Sequence, residues 1–192
     1  MSAEPTRRLF FALWPDAAQR TALVRATARA VRHGGGRAVP EASLHVTLAF
    51  LGAVPGSRAG LLGALAARAA AAVATDALPL TLRFATLEHW ARPQTLVALA
   101  REAPGSGGAV AMLAGALVTA AAAAGFGPDL KPFRAHVTVA RKVLRPPREL
   151  AIHEVVWSFG ELALLESRTL QSGPVYSVVA SHLLGGVENM RT

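Results

Sequence analysis

Cysteine is absent from the 192 residues, which excludes disulfides, thiolate metal sites and a cysteine nucleophile. The absence fits a reducing compartment, and a cytoplasmic location is expected. Lysine is almost absent: the only two are Lys131 and Lys142, so the net charge of +8 is carried almost wholly by arginine. No HExxH, Asp-rich pair or Cys/His cluster occurs, so no metal and no cofactor are expected. Long apolar runs are scarce. Pro15-Asp16 ends the first after about six residues, short of a signal peptide. The second, Ala109 to Gly127, is uncharged but dominated by alanine and glycine. Its Val110, Leu113 and Leu117 recur at helical spacing, which predicts an amphipathic helix on a sheet rather than a membrane span.

What is present is alanine, arginine and a 52% apolar share, ample for a core. The basic balance suits a polyanionic partner such as nucleic acid. Arg8 to Trp14 reads as a strand, and Asp16 as the cap of a helix from Ala17 to Val31. His33 to Gly36 reads as a loop, Leu44 to Leu51 as a strand, and Ser57 as the cap of a helix reaching Ala74. Leu80 to Leu87 and Thr95 to Ala100 are strands joined through the Arg92-Pro93 turn. After the Gly105 to Gly108 joint, the alanine-rich helix runs to a stop at Gly125 to Pro128. Phe133 to Arg141 is then a strand, Pro146-Pro147 a turn, and Val155 to Leu184 two or three strands, with Gly173-Pro174 separating the last two. This order predicts an α+β fold, with antiparallel sheets backed by helices and a cleft where two related lobes meet. Residues 1–192 are expected to form one bilobal domain.

One motif occurs twice. His45-Val46-Thr47-Leu48 returns 91 positions later as His136-Val137-Thr138-Val139. Alternate residues of a strand share a face, so each copy presents one imidazole and one hydroxyl. Val46, Leu48 and Phe50, like Val137 and Val139, are expected to point into the core. With an ordinary pKa near 6.5, one imidazole can be neutral while another is protonated near neutrality. Such a pair can take a proton from water and give one to a leaving oxygen, and threonine hydroxyls can donate to phosphoryl oxygens.

These residues resemble the 2H phosphoesterase superfamily, named for two His-x-Thr/Ser-x motifs, and within it the RNA 2′,3′-cyclic phosphodiesterases once described as 2′-5′ RNA ligases. RLFFALWPD at Arg8 to Asp16, HVTLAFLG at His45 to Gly52, KPFRAHVTVARK at Lys131 to Lys142, and the stretch from Trp157 to Tyr176 carry the resemblance over nearly the whole chain. Ala135 stands where that family often has proline, and Val97 where it often has tryptophan. The resemblance implies a pseudo-two-fold bilobal fold and metal-independent hydrolysis of an RNA-terminal 2′,3′-cyclic phosphate to a 2′-phosphate. By position it implies His45 as general acid and His136 as general base, with Thr47 and Thr138 on the phosphate. It also implies Arg141 as a phosphate ligand, although strand parity puts Arg141 on the opposite face from His136 unless a bulge intervenes. A base-stacking role falls to Phe10 or Phe11, and Phe11 is the one selected.

The expected partner is the RNA 3′ end bearing a cyclic phosphate, with no membrane or protein partner and a monomeric chain. Lys131, Arg134, Arg141, Lys142, Arg145 and Arg148 suggest a path for the RNA backbone. Two other reactions share the motifs, namely 2′-5′ ligation and hydrolysis of a small cyclic nucleotide phosphate. A non-catalytic RNA-binding module is the alternative of another class.

Overall fold

The computed structural model describes residues 4–170 and 173–186. Two antiparallel sheets dominate. The first has strand order β3-β1-β8-β9, where β1 is Thr6–Leu13, β3 Val46–Pro55, β8 Glu161–Leu170 and β9 Gly173–Leu183. The second has order β2-β6-β5-β4-β7, where β2 is Arg37–Ala38, β6 His136–Arg141, β5 Thr95–Glu102, β4 Leu80–Trp90 and β7 Ala151–Phe159. The helices are α1 (Ala17–Gly34), α2 (Ala59–Ala71) and α3 (Ala109–Ala123). The fold is α+β, as the order of elements predicts.

Aligning the two strand orders matches β3 with β6, β1 with β5, β8 with β4 and β9 with β7. The two motifs thus occupy equivalent strands of different sheets. The sheets are not the two halves of the chain, however. The first sheet draws β1 and β3 from one end and β8 and β9 from the other, while the second takes the middle strands β4 to β7 together with the short β2 that lies between β1 and β3. The helices also cross over. α1 follows β1 of the first sheet yet packs on β7 of the second, and α3 follows β5 of the second yet packs on β3 of the first. Trp157, fully buried in β7, donates its indole N–H to the Gln19 carbonyl of α1 at 2.7 Å.

Asp16 caps α1 with a complete capping box: its carboxylate accepts from the Gln19 amide at 2.7 Å, and the Gln19 side chain accepts from the Asp16 amide. The helix runs past Val31 through His33 and Gly34, stopping at Gly35 with φ 64°. Half of the expected loop, His33 and Gly34, is therefore helix. Ser57 does not cap α2; it lies in a 3-10 turn, Gly56–Arg58, and its amide donates to Glu4 at 2.7 Å. α3 is the amphipathic helix expected, with Val110, Leu113, Ala114, Leu117 and Ala121 buried. No described helix is long and apolar enough to cross a membrane.

One large apolar core joins both sheets, taking Phe11, Leu13 and Val46 from one and Phe84, Val137 and Trp157 from the other. A smaller cluster of Phe10, Ala12, Ala163 and Leu165 lies on the opposite face of the first sheet, with Trp14 and Tyr176 packed on it. That second face floors the cleft.

Candidate active site

His45, Thr47, His136, Thr138 and Arg141 all line one cleft of about 600 Å³. The two copies of the motif are held alike. His45 Nδ1 bonds the carbonyl of Ser43 at 2.7 Å, and His136 Nδ1 bonds that of Arg134 at 2.7 Å. A carbonyl only accepts, so Nδ1 must be the donor in both rings. This fixes the tautomer and leaves each Nε2 as the group that exchanges a proton. His45 Nε2 accepts from the Thr47 hydroxyl at 3.1 Å. Among the described residues His136 Nε2 has no hydrogen-bond partner.

Aromatic rings wedge both imidazoles. The centres of Phe10, Tyr176 and Trp14 lie 5.1, 4.8 and 5.9 Å from that of His45. The Trp14 ring in turn carries the Arg20 guanidinium at 4.4 Å. Trp90 lies 4.6 Å from His136. Glu88 holds that second arrangement: it accepts from the Trp90 indole at 2.8 Å and from both terminal nitrogens of Arg134, whose own carbonyl orients His136.

Burial lowers the pKa of both histidines by desolvating the charged form. His45 is pushed down to about 4, mainly by burial; the Ser43 carbonyl resists, and the charges of Arg141, His136 and Arg20 add to the fall. His136 moves the same way, mainly by burial, with the Arg134 carbonyl opposing and the Arg134 charge adding. Burial thus favours the neutral form of both imidazoles, and a bound anion would favour protonation.

Strand parity holds for the motifs and then breaks in both strands. In β6 the pairing slips so that Thr138 faces Val97 while Ala140 faces Leu96, leaving Val139 as a bulge. Arg141 therefore returns to the face of His136 and Thr138, opposite Thr95, and reaches the cleft. β3 does the same: Thr47 faces Ala12 while Ala49 faces Phe11, so Leu48 is bulged. Ala49 then goes to the core, and Phe50, expected there, stands in the cleft with 54% of its surface exposed.

The selection of Phe11 is corrected. Phe11 is wholly buried in the large core, because β1 turns it to the face shared with Leu9 and Leu13. Phe10, on the other face, is the one beneath His45. Trp90, Phe50 and the Glu88 clamp were not singled out from the sequence. Period-two alternation misplaces Phe50 because of the bulge, and nothing local marks Glu88 as a neighbour of Arg134.

The basic run is divided. Lys131 pairs with Asp129 at 3.1 Å and Arg134 with Glu88, so both are partly neutralised within the fold. Lys142, Arg145 and Arg148 are exposed.

The family model described as the 2′-5′ RNA ligase superfamily matches residues 14–170. A curated relative, the RNA 2′,3′-cyclic phosphodiesterase of Geobacillus stearothermophilus, is 32% identical over 162 residues, covering 80% of this chain and 49% of the relative. The chain thus spans about half that relative's length. A solved structure described as a phosphoesterase superposes with a TM-score of 0.79 at 26% identity, covering 93% of this chain and 98% of that one. Escherichia coli LigT complexed with NADP+ gives 0.77 at 26% identity, over 95% and 99% of the two chains.

Proposed function

The chain belongs to the 2′-5′ RNA ligase superfamily, also called the 2H phosphoesterases, and on that premise we propose that it hydrolyses RNA-terminal 2′,3′-cyclic phosphate to a 2′-phosphate without a metal. The observation that carries this reading is the pair of imidazoles in one cleft, each with Nδ1 locked by the carbonyl two residues before it. Such locking is what a proton-transferring Nε2 needs. The name of the Geobacillus relative supports the reaction, and the LigT complex with NADP+ supports a nucleotide ligand.

The cyclic phosphodiester enters as a monoanion. Its charge opposes the effect of burial and draws a proton onto one imidazole. His136 Nε2 takes a proton from water, whose oxygen attacks phosphorus. The bond from phosphorus to O3′ breaks, and O3′ receives the proton held on His45 Nε2. The products are a 2′-phosphate and a free 3′-hydroxyl, with the two histidines exchanged in protonation state. Thr47, Thr138 and Arg141 donate to the non-bridging oxygens, where charge accumulates.

The test is incubation of an RNA ending in 2′,3′-cyclic phosphate with the protein in excess chelator, followed by identification of the terminal group. A 2′-phosphate is expected. A 3′-phosphate would reverse which oxygen leaves, and no product would remove the reading. A second reading, hydrolysis of a small cyclic nucleotide, is favoured by the size of the cleft, since about 600 Å³ holds a drug-sized ligand rather than a strand. Comparing kcat/KM for the oligonucleotide and the matching mononucleotide separates the two.

A further inference from the structure

The two histidines are locked by the same bond but through different supports. On the His45 side the carbonyl of Ser43 belongs to a 3-10 turn, Glu41–Ser43. That turn is closed by the Ser43 amide on the Pro40 carbonyl at 2.8 Å and by the Leu44 amide on that of Glu41 at 3.1 Å. The next carbonyl, Leu44, accepts from Arg20 Nε at 3.3 Å, and three rings pack on the imidazole. On the His136 side the carbonyl of Arg134 comes from residues 126–135, which form neither helix nor strand beyond the end of α3. Among the described residues one ring, Trp90, packs on that imidazole.

A side chain from β4 supplies the support that the backbone does not. Glu88 lies opposite Val97 of β5, and Val97 opposite Thr138 of β6, so Glu88 stands on the face of the motif, two strands away. Its Oε1 accepts from the Trp90 indole at 2.8 Å and from Arg134 Nη1 at 2.9 Å, while Oε2 accepts from Arg134 Nη2. One carboxylate thus fixes both the ring against His136 and the residue whose carbonyl holds its Nδ1. The fork between guanidinium and carboxylate sets orientation as well as distance. Trp90 and Arg134 line the cleft and Glu88 does not, so Glu88 acts on the reaction only through them. The pair is partly open to solvent, 35% for Glu88 and 55% for Arg134, and such pairs add little to global stability. What the arrangement gains is position.

We propose that Glu88 is a positioning residue for His136: by gripping Trp90 and Arg134 together, it holds the imidazole in the Nδ1–H form with Nε2 free to receive a proton. The proposal rests on the phosphodiesterase reading above. Neutral histidine in water favours the other tautomer, with the proton on Nε2. The Nδ1–H form therefore persists only while the Arg134 carbonyl stays in place to accept from it. A segment without regular structure holds that carbonyl less firmly than a closed turn does, and the Glu88 fork makes up the difference. Once the proton moves to Nε2, that nitrogen cannot take another from water, and the base is lost although the residue remains.

The experiment reads the histidine tautomers by nitrogen NMR, at a pH well above about 6.5 so that the rings are neutral, in the wild type, Glu88→Gln and Arg134→Lys. Glutamine keeps the size of Glu88 but leaves one acceptor oxygen for three donors; lysine keeps the charge of Arg134 but not the fork. Each variant should let His136 populate the Nε2–H form while His45 stays in the Nδ1–H form. Single-turnover rates on a cyclic-phosphate RNA should fall by roughly ten- to a hundred-fold in Glu88→Gln, with the affinity for adenosine 2′-monophosphate unchanged. A His136 tautomer unaltered in either variant, a His45 that loosens equally, or equal losses of rate and affinity would overturn the assignment. The spectra need no turnover. A wild type without turnover whose His136 is loosened by Glu88→Gln would defeat the reaction and leave the orienting role standing. Full wild-type turnover with a His136 unmoved by Glu88→Gln would do the reverse.

Discussion

At the scale of single residues, the site is defined by which atom of each imidazole is free. Both Nδ1 atoms donate to backbone carbonyls, so proton traffic falls to Nε2, and both rings are depressed by burial. The pH dependence follows with a definite sign. kcat/KM reports the free protein and kcat the complex. A bound phosphate raises the imidazole pKa, so the alkaline limb of kcat should lie at higher pH than that of kcat/KM. Coincident limbs, or a shift the other way, would contradict the electrostatic account. The division of labour has its own test. A cyclic substrate with sulfur in place of O3′ has a leaving group that scarcely needs protonation. It should restore much of the lost rate in His45→Ala and little in His136→Ala; equal behaviour of the two variants would deny that His45 serves the leaving oxygen.

The next scale is that of strands, where sequence reading succeeded and failed for the same reason. Alternation placed His45 with Thr47 and His136 with Thr138 correctly, because each pair precedes its bulge. It then sent Phe50 to the core and Arg141 to the outer face, because one bulged residue reverses every later assignment. A bulge is a property of pairing with a neighbour, here β1 and β5, and no pattern within the strand announces it. The choice of Phe11 over Phe10 likewise turned on which face of β1 meets the cleft. Asp16 was legible as a cap since its signal is local. Ser57 failed because the chain enters α2 through the 3-10 turn Gly56–Arg58, which leaves Arg58 rather than Ser57 at the cap position.

A prediction belongs to the edge that carries Arg141. A Cβ on Gly36 would lie 2.4 Å from a Val143 methyl and 2.8 Å from the Arg141 carbonyl. Gly36→Ala should therefore displace the end of β6 and raise KM for the cyclic phosphate about as Arg141→Ala does, roughly ten-fold or more if one charged hydrogen bond is lost. Steady-state kinetics checks this, and an unchanged KM in Gly36→Ala would mean that the position of Arg141 matters little.

Over the whole molecule, one core runs through both sheets and α1 and α3 are exchanged between them. Thermal unfolding should therefore be a single transition, and two separated calorimetric peaks would show the sheets to be independent. The buried histidines also tie stability to pH. Their folded pKa values lie below the unfolded value near 6.5, so the unfolded chain binds protons first on acidification. Stability should be full above about 6.5 and fall as pH drops toward 4. His45→Gln should flatten that decline when Tm is followed between the two limits; an equally steep decline would place its origin elsewhere. The α+β class and antiparallel sheets were legible in the order of elements. The crossing of helices between sheets was not, since it depends on which sheet offers α1 and α3 an apolar face.

The central claim is that two imidazoles, and no metal, move the protons. Single-turnover rates on an RNA ending in 2′,3′-cyclic phosphate, taken in excess chelator for the wild type, His45→Ala and His136→Ala, test it most directly. The wild type should keep its full rate, and each variant should fall by about a hundred- to ten-thousand-fold with an unfolding transition as cooperative as that of the wild type. A wild type silenced by the chelator, or either variant within a few-fold of it, would contradict the account.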